Sequence, residues 1–159
     1  MVWFVSGRGN NPKAASGFSL VELIVAVAIL STLALMALPI ARFQVKRAKE
    51  QQLRETLWTI RDALDRYKDA ADHGGFLTKV DTFGYPPDLE TLVKDVQING
   101  KKVHFLNRMP VDPMTGKDDW DLRSMQDDPD STSWGGQNVF DVHSQSQEIG
   151  LNGIKYSAW

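Results

Sequence analysis

The sequence predicts an α+β fold in which one long N-terminal helix packs on a small antiparallel sheet. Two observations predict this fold. The first half of the chain holds an apolar run followed by apolar residues at helical spacing, and the second half holds short strand patterns separated by turn residues. A length of 159 residues is enough for about one domain of typical size, so a membrane helix and one small head account for it.

An apolar run of eighteen residues without a charged side chain covers residues 23–40. As an α-helix, at about 1.5 Å per residue, it is roughly 27 Å long, which is the lower end of what crosses the core of a bilayer. The small residues at 14–17 precede this run, whereas the cleavage site of a secretory signal peptide follows its apolar core. Cleavage near Gly17 would therefore leave the apolar helix on the mature protein.

Glu22 lies at the start of this apolar stretch. A carboxylate placed in hydrocarbon costs about 2.5–3.5 kcal/mol, so it needs a partner. If the chain is cleaved after Gly17, the new amino terminus on Phe18 lies about one helical turn away and supplies a positive charge, in the same subunit or in a neighbour. Alternatively, Glu22 marks the interfacial edge of the span, where its carboxylate reaches headgroups and water. Its position alone leaves both interpretations open.

The order G-F-S-L-V-E-L at residues 17–23, with the apolar run behind it, resembles the class III leader of type IV pilins and pseudopilins. The resemblance implies that residues 1–17 are a leader and that a prepilin peptidase cleaves after Gly17. It further implies that the amino group of Phe18 is N-methylated and that Glu22 guides filament assembly. Residues 18–41 then form the transmembrane and filament-core helix.

Beyond the membrane run, apolar residues fall at steps of four, three, four and three, which draws one stripe along an α-helix. These residues are Leu53, Leu57, Ile60, Leu64 and Tyr67. We therefore expect the helix to continue over residues 42–71, with the stripe against a core and the charged residues facing water. A coiled-coil dimer is the alternative, although the stripe covers only about two heptads. Three pairs of opposite charge at i,i+4 are expected on the polar face: Glu50/Arg54, Arg61/Asp65 and Asp62/Arg66.

Pro39 lies inside the predicted helix. It lacks an amide hydrogen and its ring crowds the carbonyl of Leu35, at a cost of about 3 kcal/mol in a rigid helix interior. We expect the helix to bend or loosen near the membrane exit. The resemblance implies that this region can lose helical structure when subunits pack into a filament, which adds Pro39 to the assembly residues Phe18 and Glu22.

Residues 72–159 are predicted to form the α+β head. Gly74 and Gly75 end the long helix, and a short helix follows at 88–94. The Asn99-Gly100 turn predicts a hairpin of residues 96–98 with residues 101–105. Two more strands are expected, at 120–125 and 138–143. The chain has no cysteine, so packing, or packing plus an ion, must hold this head together.

The head, at residues 108–116 and 140–159, resembles the major, or G-type, pseudopilin of type II secretion systems. The resemblance implies a structural subunit of a short periplasmic filament that helps export folded proteins across the outer membrane. A type IV pilin for adhesion or motility is one alternative, and a membrane-anchored binding domain that never polymerises is another. Many adhesive or motility pilins close their C-terminal loop with a disulfide, which this chain cannot form, and this difference favours the pseudopilin.

The same resemblance implies that a calcium ion can take the place of the disulfide in the C-terminal region. Calcium takes about six to eight oxygen ligands, and the acidic loops of the head can offer them, although their spacing is not that of an EF-hand. The first predicted ligands are Asp128, Asp130 and Asp141. No other cofactor is expected.

The sequence offers no motif for catalysis: it has no Walker loop, dinucleotide fingerprint or G-x-S-x-G, and its three histidines lack metal-ligand spacing. We therefore expect a protein that is not an enzyme. Residues 72–159 carry eight Lys and Arg against fourteen Asp and Glu, which argues against binding of nucleic acid.

The resemblance also implies the partners: copies of the same chain, the prepilin peptidase, minor pseudopilins, and an inner-membrane assembly platform with its ATPase. It places the chain in the inner membrane as a single-pass protein with its head in the periplasm. Counting basic residues gives the opposite orientation, because four follow the span closely and two precede it. We follow the leader motif, which is more specific than a difference of two charges.

Overall fold

The computed structural model describes residues 17–129 and 131–159, with the side chains of all these residues except 36–39. The chain divides into two compact units, Met1–Ala41 and Arg42–Trp159. Helix α1 spans Leu20–Asp72 and helix α2 spans Glu90–Val93. Four strands follow: β1 at Val96–Ile98, β2 at Lys101–Val103, β3 at Asp121–Arg123 and β4 at Asp141–His143. Two short 3-10 turns lie at Val80–Thr82 and Tyr156–Ala158.

The N-terminal part of α1 is apolar and exposed on all sides. It holds a window with a mean hydropathy of 2.6 of which no residue is buried, so its length and composition suit a membrane span. The two hydroxyl residues in this stretch donate to carbonyls one turn back: Ser31 to Val27 at 2.7 Å and Thr32 to Ile29 at 2.7 Å. These bonds satisfy the hydroxyl protons inside the helix, as a surrounding without water requires.

The predicted apolar stripe is confirmed on the second part of α1. Its five residues are buried in the core of the head, together with Ala63. Across from the stripe the core contains Leu92 of α2, Val142 of β4 and residues of the connecting loops. Tyr67 packs against Phe105 with a distance of 5.3 Å between ring centroids. The stripe is therefore occupied within one chain, which leaves no apolar seam for the coiled-coil alternative.

The predicted α+β fold is confirmed, although the strands form two separate antiparallel pairs. Between β1 and β2, Asn99 and Gly100 both have positive φ, at 50° and 80°, as a tight hairpin turn requires. The predicted strand 101–105 stops at Val103, because the amides of Phe105 and Leu106 both donate to the carbonyl of Leu92 instead of to a strand. In the other pair, β3 aligns with β4 so that Leu122 faces Val142.

Two of the three predicted i,i+4 ion pairs on α1 are wrong. Asp62 and Arg66 do form one, at 2.9 Å. Arg61, however, contacts Asp141 instead of Asp65, and the carboxylate of Glu50 is buried rather than facing water. The reason is tertiary: the end of the chain lies along this side of α1 and offers both residues better partners, described next.

Candidate functional site

The predicted processing residues lie just before α1. Gly17, Phe18 and Ser19 precede the first helical residue, Leu20, and the side chain of Phe18 is 80% exposed. Among the residues that the structure describes, a side chain at Gly17 would meet nothing within 4 Å. The described part of this segment is therefore exposed, while its cleavage and methylation stay predictions. The rest of the predicted leader, residues 1–16, lies outside the described residues.

The predicted assembly residue Glu22 lies in the first turn of α1 and is exposed. An acid in this turn interacts favourably with the unpaired amides at the start of a helix. The apolar residues around Glu22 are also exposed, so its carboxylate stands among side chains that favour lipid or another helix. Pro39 lies within α1, but its side chain is not among those described, and its effect on the helix stays a prediction.

Of the three predicted calcium ligands, the two that the structure describes, Asp128 and Asp141, belong to no metal site among the described residues. Asp141 is bound by Arg61, Asp128 is exposed, and Asp130 lies outside the described residues. Within residues 17–129 and 131–159, no group of three His, Asp or Glu side chains could hold a metal ion. Asp127, from the same acidic loop, uses a carboxylate oxygen to accept from the amides of Ser124 and Gly135, at 2.7 and 3.2 Å. The described residues therefore do not form the calcium site that the resemblance implies, and calcium binding stays a prediction.

Arg61 of α1 binds three chain segments with one guanidinium group. Its Nε donates to Asp141 Oδ1 at 2.6 Å, and its Nη2 donates to the main-chain oxygens of Val142 and Trp159, each at 3.0 Å. His143 also contacts Asp141, with Nε2 at 3.3 Å from Oδ2. Burial raises the pKa of Asp141, but the hydrogen bonds from His143 and Arg61 and the charge of Arg61 outweigh burial and lower it to about 2.

Glu50 of α1 binds the C-terminal segment, residues 144–159, at a second place. Its side chain is buried, and Oε1 accepts from the Leu151 amide at 2.7 Å and from the Tyr156 hydroxyl at 2.8 Å. Burial, and then the hydrogen bond and negative charge of Glu50, raise the pKa of Tyr156 to about 12. One helical turn earlier, Lys46 Nζ donates to the carbonyl of Ile149 at 2.6 Å.

These contacts were missed from the sequence, although a signal for them exists. Counting back from Leu53, the steps of three and four reach Glu50 and then Lys46. Both residues therefore occupy the face of α1 that carries the apolar stripe, where a charged side chain needs a partner from the rest of the fold. Which partner it finds is not readable from local spacing, because the partners lie about a hundred residues away in the chain.

Two comparisons with known proteins find matches for this chain. The family model of the prokaryotic N-terminal methylation motif matches residues 12–38. The type II secretion system core protein G of Pseudomonas aeruginosa is 34% identical over 109 residues, which cover 64% of this chain and 69% of that protein. No solved structure gives a significant match. With its N-terminal motif, its long helix and its small α+β head, this chain belongs to the type IV pilin-like proteins, in the family of the type II secretion system core protein G, the major pseudopilin.

Proposed function

We propose that this chain is the structural subunit of a pseudopilus, the filament of a type II secretion system, and that it helps export folded proteins across the outer membrane. The observation that carries the proposal is the N-terminal end of α1: an exposed apolar helix whose first turn contains the exposed acid Glu22, within the matched methylation motif. The family role of its relative, core protein G of a type II secretion system, supports the same assignment.

In this proposal the apolar half of α1 anchors each subunit in the inner membrane and later packs with other copies in the filament core. Apolar helices gain little hydrophobic energy by leaving lipid for one another, so close packing and polar pairing must order them. Glu22 and the amine of Phe18 provide such a pair once the prepilin peptidase has cleaved after Gly17. An unneutralised acid would oppose entry into the core.

The heads lie in the periplasm and line the outside of the filament, and the role is structural rather than catalytic. The proposed partners are further copies of this chain, minor pseudopilins, and the inner-membrane platform with its ATPase. An adhesive or motility pilin would place filaments outside the cell, whereas a pseudopilus keeps them within the envelope. Imaging where the filaments lie, together with an assay of secreted proteins, separates the two.

The processing step is tested by mass spectrometry of the mature N-terminus. We expect a chain that begins at Phe18 and carries one methyl group. Functional protein that retains Met1 would contradict the proposal.

The assembly step is tested with Glu22→Ala, compared with Glu55→Ala, an exposed glutamate on the head half of the same helix. We expect Glu22→Ala to be cleaved and inserted but to form at most a tenth of the filaments of the parent, because the pair with the Phe18 amine is lost. A tenfold reduction corresponds to a loss of about 1.4 kcal/mol in the free energy of assembly. Glu55→Ala should assemble normally. Normal filaments and secretion with Glu22→Ala would instead favour a membrane-anchored binding domain.

A further inference from the structure

The C-terminal segment, residues 144–159, has little regular structure with which to hold itself. It folds back on itself through an isolated bridge between Ile149 and Lys155 and a few turn hydrogen bonds. In this segment Glu148 is the one acidic residue, and it is exposed. A calcium ion, which takes about six to eight oxygens and favours carboxylates, finds few ligands here.

The segment is held instead by charged side chains of α1 that follow one another along a single face. Lys46 contacts Ile149, and Glu50 contacts Leu151 and Tyr156. Farther along, the guanidinium of Arg54 stacks on the Trp159 ring, with 4.1 Å from Cζ to the ring centroid. Arg61 completes the series at Val142 and Trp159. Four residues spaced along one helix thus bind the segment: Lys46, Glu50, Arg54 and Arg61.

The surroundings of Arg61 are those of a bound cation. Its guanidinium is surrounded by oxygens: both carboxylate oxygens of Asp141, with 3.4 Å from Nη2 to Oδ2, and the main-chain oxygens of Val142 and Trp159. The main-chain oxygen of Trp159 also lies 2.7 Å from His143 Nδ1. Carboxylate and main-chain oxygens are ligands that calcium takes, and here a permanently charged arginine occupies their centre.

We propose that Arg61 is the built-in cation of this pseudopilin: it replaces, for the C-terminal segment, the calcium ion that the family resemblance implies. Asp141 is then the counter-ion of Arg61 and not a metal ligand. Glu50 binds the segment at Leu151 and Tyr156. No cation is needed there, because both partners are neutral hydrogen-bond donors. The head consequently folds and holds its C-terminal segment without calcium.

The first test uses the full-length protein in detergent, melted with excess calcium chloride and with excess chelator. We expect the two melting temperatures to agree within about 1 °C, and calorimetric titration with calcium to show no binding with one-to-one stoichiometry below millimolar concentration. A drop of about 5 °C or more in chelator, which corresponds to the loss of a ligand bound well above its Kd, would overturn the proposal.

The second test compares Arg61→Met with Arg47→Met, an exposed arginine on the same helix. We expect Arg61→Met to lower the melting temperature by roughly 5–10 °C and to speed proteolysis of the C-terminal segment, because Asp141 loses its counter-ion in a partly buried place. Arg47→Met should change neither. Equal effects of the two substitutions would contradict the role of Arg61.

Where Arg61→Met fails to fold, Arg61→Lys keeps a positive charge at this position but lacks the fork that reaches Asp141 and two main-chain oxygens together. We expect it to fold with an intermediate melting temperature that calcium does not raise. Full recovery by added calcium would return Asp141 to the role of a metal ligand and overturn the proposal.

Discussion

Glu50 is a charged residue that serves the core of the head rather than its surface. Only 8% of the residue is exposed, and one of its two carboxylate oxygens, Oε1, accepts two hydrogen bonds from residues about a hundred positions later in the chain. A buried charged group is tolerated when its hydrogen bonds are made. Removing the acceptor or the donor leaves the other group buried without a partner. Glu50 therefore links the middle of α1 to the end of the chain.

Replacing Glu50 with alanine is expected to lower the free energy of unfolding by about 2–4 kcal/mol, because the amide of Leu151 and the hydroxyl of Tyr156 both lose their acceptor. Glu50→Gln keeps a carbonyl oxygen and should lose about half as much. Urea unfolding of the detergent-solubilised protein measures both. Glu55→Ala, at an exposed position, is the control and should stay within about 0.5 kcal/mol of the parent. Similar losses for Glu50→Ala and Glu55→Ala would show that Glu50 does not hold the segment.

At the scale of the elements, α1 presents two different surfaces in its two parts. Its first part is apolar around the whole circumference and exposed, as suits contact with lipid or with other helices. Its second part is amphipathic, with one face in the core of the head. The strands, three residues each, are too short to form a stable sheet alone, so they depend on packing against this helix.

Leu57 and Trp58 are neighbours on α1 that separate the buried face from the exposed one. Leu57 is 2% exposed and Trp58 is 70% exposed. We expect Leu57→Ala to lower the free energy of unfolding by about 2–5 kcal/mol through the lost contacts and the cavity left behind. Trp58→Ala, the larger truncation, should lower it by less than about 1 kcal/mol, as at other surface positions. Urea unfolding measures both, and the reverse order of effects would mean that α1 faces a partner helix instead of its own head.

At the scale of the whole molecule, the two compact units differ in what they need from their surroundings. Among the residues whose side chains are described, the buried apolar ones lie in Arg42–Trp159, from Leu53 onward. Charged side chains that bind the C-terminal segment begin at Lys46, also within this unit. The head thus contains its own core and its own fastening contacts, whereas the apolar unit before Arg42 offers exposed surface to lipid or to other copies.

A fragment of residues 42–159 is therefore expected to be soluble and monomeric without detergent and to unfold cooperatively. Size-exclusion chromatography with light scattering and urea unfolding measure these properties. A shorter fragment, residues 52–159, keeps the apolar stripe but lacks Lys46 and Glu50, and it should be less stable by about 2–4 kcal/mol. If the two fragments were equally stable, the start of the head half of α1 would not contribute to holding the C-terminal segment.

Much of this architecture could be predicted from the sequence because its signals are local. The membrane run, the apolar stripe and the Asn99-Gly100 turn each depend on residues a few positions apart, and the structure confirms the helix, the stripe and the hairpin. The leader motif is equally local, and it indicated the family that the comparisons then showed.

The partners of Arg61 and Glu50 could not be predicted in this way. Local spacing offered each an ion pair one turn along the helix, but an exposed i,i+4 pair contributes only about 0.3–0.5 kcal/mol. Packing of residues 141–159 against α1 places buried or partly buried hydrogen-bond partners next to both Arg61 and Glu50. Hydrogen bonds to a charged group contribute about 1.5–3 kcal/mol. The sequence by itself determined the long helix, its two surfaces and the family. Only the tertiary structure decided which charges hold the end of the chain, because those contacts exist only after distant segments have been brought together.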